Sequence, residues 1–342
     1  MRSRSDDPWG AAMSTIYDVA RLAGVSKTTV SKILSGNKNV RPSTLEKVNA
    51  AMQALDYVPN GFAQGMRRNA THTIAVLLPE QYNYGYMEIL AGVESCANRS
   101  GYMTFVCSTG KDGRYEEKYL REMVRRRADG ILYFTYRRNT KSLNYLERIS
   151  RDIAVVVMDN VLKGERLDCV RVDGQALTKQ AVCCLADKGC RRIAYIRGLH
   201  GYDATAERFR GYLDGLDARG LAFDVRLVEA AEFTMEGGAQ AACRLMSQKP
   251  DALIAATDML ALGALDWFGK NGVNVPRDVR VIGFDDIPLC LWSRPRLSTI
   301  SQNQRMLGKT AVKRLLARMS SPEEEPFTLL LGGGLVLRET TG

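Results

Sequence analysis

Apolar positions along the chain follow two rhythms. Ile16, Val19, Ala20 and Ala23 fall at i, i+3, i+4 and i+7, which predicts one buried face of a short helix. Thr15 with Asp18 three residues on reads as its capping box. Gly24 gives the backbone freedom for a tight turn. Ser26 can cap a second helix that turns Val30, Ile33 and Leu34 inward and leaves Lys27, Thr28, Thr29, Ser31 and Lys32 outward, with Gly36-Asn37 ending it. Ser43 and Glu46 read as a second capping box, opening a third helix lined by Leu45, Val48, Met52 and Leu55. From Thr73 onward the rhythm changes. Short apolar runs (TIAVLLP, MTFVCS, GILYF, IAVVVMD, RIAYIRG, ALIAAT, VRVIGFDD) alternate with longer helical stretches. That is the βαβ pattern of parallel sheets covered by helices on both faces.

The predicted architecture is α/β: a small all-α helix-turn-helix headpiece followed by a two-lobed, doubly wound parallel α/β domain. Residues 1–13 show no periodicity and are expected to form a disordered tail, with Met13 the more natural start. The headpiece takes residues 14–58, a hinge segment 59–70, and the large domain 71–342. Its first lobe is expected at about 71–171 and 301–323, its second at about 174–298 and 326–340.

Charge sharpens this division. The chain carries a formal +10, and residues 1–72 hold ten Lys/Arg against five Asp/Glu. Half of the excess thus sits on the headpiece, the footprint of a nucleic-acid-binding module on a near-neutral body. A short, polar second helix rich in hydroxyl and ammonium groups suits the major groove. Caps and periodicity alone leave a three-helix protein-interaction module open. None of the eight cysteines forms a C-x-x-C pair, and they read as reduced core residues. With no long apolar run at the N-terminus or elsewhere, neither a signal peptide nor a membrane span is expected, and the protein is expected in the cytoplasm. No catalytic motif, cofactor or metal site is expected. Gly308-Lys309-Thr310 lacks the rest of a P-loop, and His72 and His200 are the only histidines.

The stretch TIYDVARLAGVSKTTVSKILSG…VRPSTLEKVNAAMQALDYVPN resembles the N-terminal signature of the lac repressor (LacI) family. RRRADGILYF, KGCRRIAYIRG, TAERFRGYLDGL, ATDMLALGAL, VPRDVRVIGFDDIP and PRLSTI are similar to that family's effector-binding domain, which is periplasmic-binding-protein-like (type I). The resemblance covers about residues 15–340. It implies that Lys27 and Thr28 read bases, that Lys32 faces the groove, and that Thr29 and Ser31 reach phosphates or position the helix. It also implies a hinge helix after Asn60 with a minor-groove wedge. Here Ala63-Gln64-Gly65-Met66 replaces the usual A-R-S-L, so Met66 takes the wedge position with Arg67 beside it. Gly65 weakens that helix by about 1 kcal/mol relative to Ala.

For the large domain the resemblance implies a cleft between lobes and a small-molecule effector, a sugar or sugar derivative. Arg208 would grip the effector, Asp258 accept its hydroxyls, Phe233 stack on it, and Tyr86 and Asp159 complete the cleft. Duller roles stand beside these: Asp258 as a helix cap, Arg208 as a surface ion pair, and Asp285-Asp286 as structural residues near the hinge. The chain would cross between lobes near Val172–Gly174, Thr299–Ser301 and Pro322–Pro326. The resulting expectation is a homodimeric repressor on a palindromic operator, controlled allosterically by its effector. A solute receptor without a DNA role, or a regulator responding to a nucleobase or another metabolite, is the alternative.

Overall fold

The computed structural model describes residues 14–34, 40–58, 70–79, 84–110, 112–134, 140–158, 167–198 and 203–342. These fall into two compact units that part between His72 and Thr73.

The first unit holds three helices, α1 (Ile16–Ala23), α2 (Lys27–Leu34) and α3 (Pro42–Ala54). Thr15 and Asp18 form the predicted capping box: the Thr15 hydroxyl accepts from the Asp18 N–H, and the Asp18 carboxylate accepts from the Thr15 N–H at 3.0 Å. Gly24 ends α1 at φ 65°, a left-handed conformation costly to any residue with a Cβ. Ser26 opens α2, its Oγ accepting from the Thr29 N–H at 3.1 Å. Val19, Val30 and Val48, one from each helix, are fully buried. Each contributes roughly 2 kcal/mol by leaving water, enough to centre so small a core. Two expectations fail here. The Ser43–Glu46 capping box does not form, because α3 starts at Pro42 with Arg41 before it and no side-chain cap. Leu45 is 42% exposed and does not line the core, which α3 meets through Val48 and Ala51.

The second unit is built on two six-stranded sheets. The first contains β1 (Thr73–Leu78), β2 (Met103–Ser108), β3 (Gly130–Phe134), β4 (Ala154–Met158), β5 (Asp168–Val172) and β11 (Thr328–Leu331), in the order β11-β5-β4-β3-β1-β2. The second contains β6 (Ile193–Gly198), β7 (Val228–Ala231), β8 (Ala252–Ala255), β9 (Arg280–Asp285), β10 (Ser298–Ser301) and β12 (Gly334–Val336), in the order β12-β10-β9-β8-β6-β7. Every pairing is parallel except β10 with β12.

Strand residues pack on both faces, which is why they read as continuous apolar runs. On β1, Ile74, Val76 and Leu78 face α4 (Tyr84–Arg99) and α11 (Gln304–Ser320), while Ala75 and Leu77 face α5 (Glu116–Arg125) and α6 (Thr140–Ile149). The second sheet is covered by α7 (Gly174–Asp187), α8 (Asp203–Ala218), α9 (Met235–Met246) and α10 (Asp258–Lys270).

The chain passes between sheets three times. The first passage, Asp173, lies where the sequence put it; the second, Gln302–Asn303, falls just beyond Thr299–Ser301, which belong to β10. The third falls at Gly332–Gly333, between β11 and β12, and not at Pro322–Pro326. The reason is a buried ion cluster. Arg318 grips Asp168 with both Nε (2.8 Å) and Nη2 (3.1 Å), and the Arg314 Nε lies 2.9 Å from the same carboxylate. The Phe327 N–H donates to Asp168 at 3.2 Å, and Arg314 lies 4.1 Å over the Phe327 ring. The Pro- and Glu-rich turn is thereby held against the first sheet, and β11 pairs with β5 before the chain leaves.

The cysteines form no disulfide, but Cys243 is exposed and only Cys169, Cys190 and Cys290 are buried, so they do not all belong to the core. Among the described residues no cluster of metal-binding side chains occurs, and no helix is long and apolar enough to cross a membrane.

Candidate functional sites

On the headpiece, α2 presents Lys27, Thr28 and Lys32 to solvent. Its backbone is fixed on the opposite side by Val30 and at its start by the Ser26–Thr29 cap, where the two hydroxyls also meet at 2.8 Å. Thr29 is therefore half-buried and occupied with the cap, which suits the positioning role. Ser31 departs from expectation. It sits between the arcs of Lys27 and Lys32, but its short side chain leaves the residue only 8% exposed, withdrawn behind the surface that its longer neighbours present. Asn60, Met66 and Arg67, expected in the hinge, lie outside the described residues.

In the large unit, ligands of a doubly wound fold are expected beyond the carboxyl ends of the strands. In the second lobe, β6, β8 and β9 bring Gly198, Ala256-Thr257 and Phe284-Asp285 to one such end. Arg208, from the first half of α8, reaches this end and is buried. Its Nη1 donates to the Ala256 carbonyl at 2.6 Å, and its guanidinium lies 3.7 Å from the Phe284 ring centroid. Nη1 is also 3.9 Å from the Asp285 carboxylate. An anchored guanidinium beside a carboxylate offers donors and acceptors side by side, the arrangement that vicinal hydroxyls or an amide edge can satisfy. Phe233 follows β7, and its ring lies against Gly198. A Cβ added there would fall 2.2 Å from the ring's Cζ, so a glycine at that position is what lets the tip of the ring reach the end of β6.

Asp258 is not part of this wall. It is fully buried, and all of its acceptor capacity faces inward. Oδ1 accepts from the Thr299 hydroxyl at 2.5 Å; Oδ2 accepts from the Ile287 N–H at 2.9 Å and the Cys290 thiol at 3.1 Å. It does not cap α10 either, since Thr257 does so by accepting from the Leu260 N–H. Burial raises the Asp258 carboxyl above its usual range against the pull of these hydrogen bonds, and burial followed by the neighbouring Asp258 raises the Cys290 thiol.

The carboxylate that stands beside Arg208 at the strand ends is Asp285 instead, and its bonds from Gln302 and Gln304 agree with the reading of it as structural and near the hinge. It is also the last residue of an apolar strand run, the position where such folds hold ligands. Asp286 fits the structural reading as well, bound by Arg338 at 2.6 Å. Tyr86 also departs from its expected role. It is 6% exposed, and its ring meets Phe134 edge-on at 5.4 Å inside the first lobe's core. Asp159 lies outside the described residues.

Three contacts tie this wall to the first lobe and the passage. Arg171, on β5, pairs with Glu207, the neighbour of Arg208, at 2.6 Å. Gln302, in the second passage, donates to Asp285 Oδ1 at 2.7 Å, and Gln304 at the start of α11 donates to the Asp285 carbonyl. Asp285 thus faces Arg208 on one side and the passage between lobes on the other.

Comparison with known proteins agrees with both halves. Residues 15–60 match the family described as bacterial regulatory proteins, lacI family, and residues 182–341 match the periplasmic binding protein-like domain. The HTH-type transcriptional repressor PurR of Vibrio campbellii is 35% identical over 332 residues, covering 96% of this chain and 98% of that protein. PurR of Vibrio atlanticus is 33% identical over the same length and coverage. Among solved structures, the lac repressor dimer bound to operator and the anti-inducer ONPF matches with a TM-score of 0.86 at 26% identity, over 96% of this chain and 99% of that one. A complex of the transcriptional regulator CelR with cellobiose matches with a TM-score of 0.73 at 29% identity, over 96% and 99%.

Proposed function

The chain belongs to the lacI family of bacterial regulatory proteins and is a DNA-binding transcriptional repressor rather than an enzyme; from that premise we propose that a sugar or sugar derivative, held by Arg208, Asp285 and Phe233, sets its grip on a palindromic operator. The observation that carries this reading is the double engagement of Asp285, toward Arg208 at 3.9 Å and toward Gln302 at 2.7 Å. A ligand whose hydroxyls donate to Asp285 and accept from Arg208 competes with the Gln302 bond. It thereby alters the passage that joins the lobes. A pyranose also offers a C–H face to Phe233.

In this reading two chains act as a homodimer in the cytoplasm. Lys27 and Thr28 read bases in each half-site, Lys32 supports them in the groove, and Asn60, Met66 and Arg67 form the hinge. The lobe angle sets the spacing of the two hinges, so effector and operator affinities are coupled reciprocally, typically by about 1–3 kcal/mol.

A second reading has its own support: the relatives named PurR suggest a purine in place of the sugar. A planar base presents an amide edge to Arg208 and Asp285 and a face to Phe233. Calorimetric titration of the purified chain with a panel of mono- and disaccharides, sugar phosphates and purine bases separates the two. Saturable binding of a sugar, weakened in Arg208→Ala, supports the first; saturable binding of a base alone replaces it with the second.

A further inference from the structure

Tyr17 belongs to none of the groups assigned so far. It lies on α1, off the buried face formed by Val19, Ala20 and Ala23, and is 60% exposed. Packing therefore does not call for an aromatic residue there. Its surroundings on the recognition side do. The turn at Gly24 brings α2 back so that the Lys27 Nζ donates to the Tyr17 hydroxyl at 2.8 Å. The same ammonium lies 4.5 Å from the Tyr17 ring centroid. A lysine ammonium on a four-carbon stem ordinarily samples many positions. Here the Tyr17 hydroxyl, on a neighbouring helix, gives it a fixed partner.

The hydrogen-bond inventory of a phenol adds a second part. A tyrosine hydroxyl has one donor proton and can also accept. Accepting from Lys27 leaves its own O–H to donate outward from an exposed position. The acceptor that a duplex offers next to a groove-reading helix is a phosphate oxygen.

We propose that Tyr17 is the positioning residue for Lys27, its hydroxyl bridging the Lys27 ammonium to a backbone phosphate so that the phosphate's location fixes which base edge the ammonium reads. The inference rests on the assignment of α2 as the recognition helix, and its test separates the two. A preferred duplex is first selected from a randomised pool by the full-length chain. Every single-base-pair variant of that duplex is then titrated with the wild type, Tyr17→Phe, Tyr17→Ala, Lys27→Ala and the Tyr17→Phe/Lys27→Ala double variant. Tyr17→Phe keeps the ring and removes only the hydroxyl. At so exposed a site, circular dichroism is expected to show an unchanged fold.

The expected result is a loss of about three- to tenfold in affinity for Tyr17→Phe, the size of one hydrogen bond. With it, discrimination narrows at the same base pair where Lys27→Ala abolishes it, and the double variant discriminates no worse than Lys27→Ala alone. Tyr17→Ala narrows it to a similar degree, because the hydroxyl is the group that holds the ammonium. A uniform loss over all duplexes with discrimination intact overturns the proposal and leaves Tyr17 a phosphate contact only. Tighter binding by Tyr17→Phe also overturns it, because the pair is then a resting pose that DNA must break. If Lys27→Ala leaves every base preference unmoved, the failure lies with the recognition-helix assignment, and the proposal falls with it.

Discussion

The guanidinium of Arg208 lies 3.7 Å from the centre of the Phe284 ring while its Nη1 donates to the Ala256 carbonyl at 2.6 Å. One side chain is thus fixed by two successive strand ends, β8 and β9, before any ligand arrives. Such preorganisation lowers the cost of binding. Arg208→Ala is expected to weaken effector binding by about 10- to 100-fold, the size of a charged hydrogen bond and its associated contacts. Operator affinity without effector stays within about threefold. Arg208→Lys does not rescue, because a point-like ammonium cannot keep the carbonyl bond, the ring contact and a planar fork together. Calorimetry with the effector and a parallel operator titration check both halves. An unchanged effector affinity in Arg208→Ala removes the residue from the site.

Asp258 and Asp285 are expected to part company on mutation. Removing Asp258 leaves the Thr299 hydroxyl, the Ile287 N–H and the Cys290 thiol without their shared acceptor in a fully buried place. Asp258→Ala therefore lowers stability by roughly 3 kcal/mol or more. Asp285→Asn keeps an oxygen for Gln302, so its melting temperature stays near that of the wild type while effector affinity falls about tenfold or more, as for a lost charged contact. Thermal melts and effector titrations of the two variants, run together, decide which aspartate serves the ligand.

These two aspartates also show how far the sequence could be read. The helix-turn-helix, the capping box at Thr15, the strand runs and the two-lobed α/β layout follow from periodicity and turn residues, and the structure has them. Which aspartate stands beside Arg208 did not follow. ATDML and GFDD are both acidic positions at strand ends, and only the three-dimensional hydrogen bonds show that the first is spent on Thr299, Ile287 and Cys290. Tyr86 failed for a similar reason: an aromatic near the end of a strand can turn toward the ligand or toward the core, and Phe134 draws this one inward. The third passage was misplaced because a Pro- and Glu-rich turn reads as a linker, whereas a carboxylate far away in the chain, Asp168, recruits it through Arg314 and Arg318.

That ion cluster has a pH signature. Burial alone would raise the Asp168 carboxyl, but hydrogen bonds from Arg318, Arg314 and the Phe327 N–H outweigh it and hold the group below the usual carboxylate range. A depressed folded pKa means that the unfolded chain binds the proton more readily. The stabilisation is therefore complete above the ordinary aspartate value of about 3.9 and is lost as pH falls through the lower folded value. Asp168→Ala leaves Arg318 with only backbone carbonyls and Arg314 with only Glu324, and is expected to cost about 3 kcal/mol at neutral pH. Urea unfolding of Asp168→Asn between neutrality and strong acid is expected to show a shallower loss of stability on the acid side than the wild type. Parallel curves would mean that the cluster does not set the acid limit.

On the headpiece, exchanging Lys27 and Thr28 is expected to change which duplex the chain selects from a randomised pool, since both stand exposed on α2. Ser31→Ala is expected to leave selection unchanged and affinity within about twofold, because that hydroxyl is withdrawn from the surface and one neutral hydrogen bond is the most it can lose. A Ser31→Ala variant with altered base preference would put the serine back among the readers.

The measurement to make first is a titration of the selected operator duplex with the full-length chain, with and without each member of the sugar, sugar phosphate and purine panel. A repressor governed from the Arg208–Asp285 wall gives sequence-specific binding that one small molecule shifts by roughly 5- to 150-fold, the usual range of allosteric coupling, and the Arg208→Ala chain binds the same duplex without that shift. Specific binding that shifts equally in the wild type and in Arg208→Ala contradicts the placement of the effector, and specific binding that no member of the panel moves contradicts its proposed chemistry.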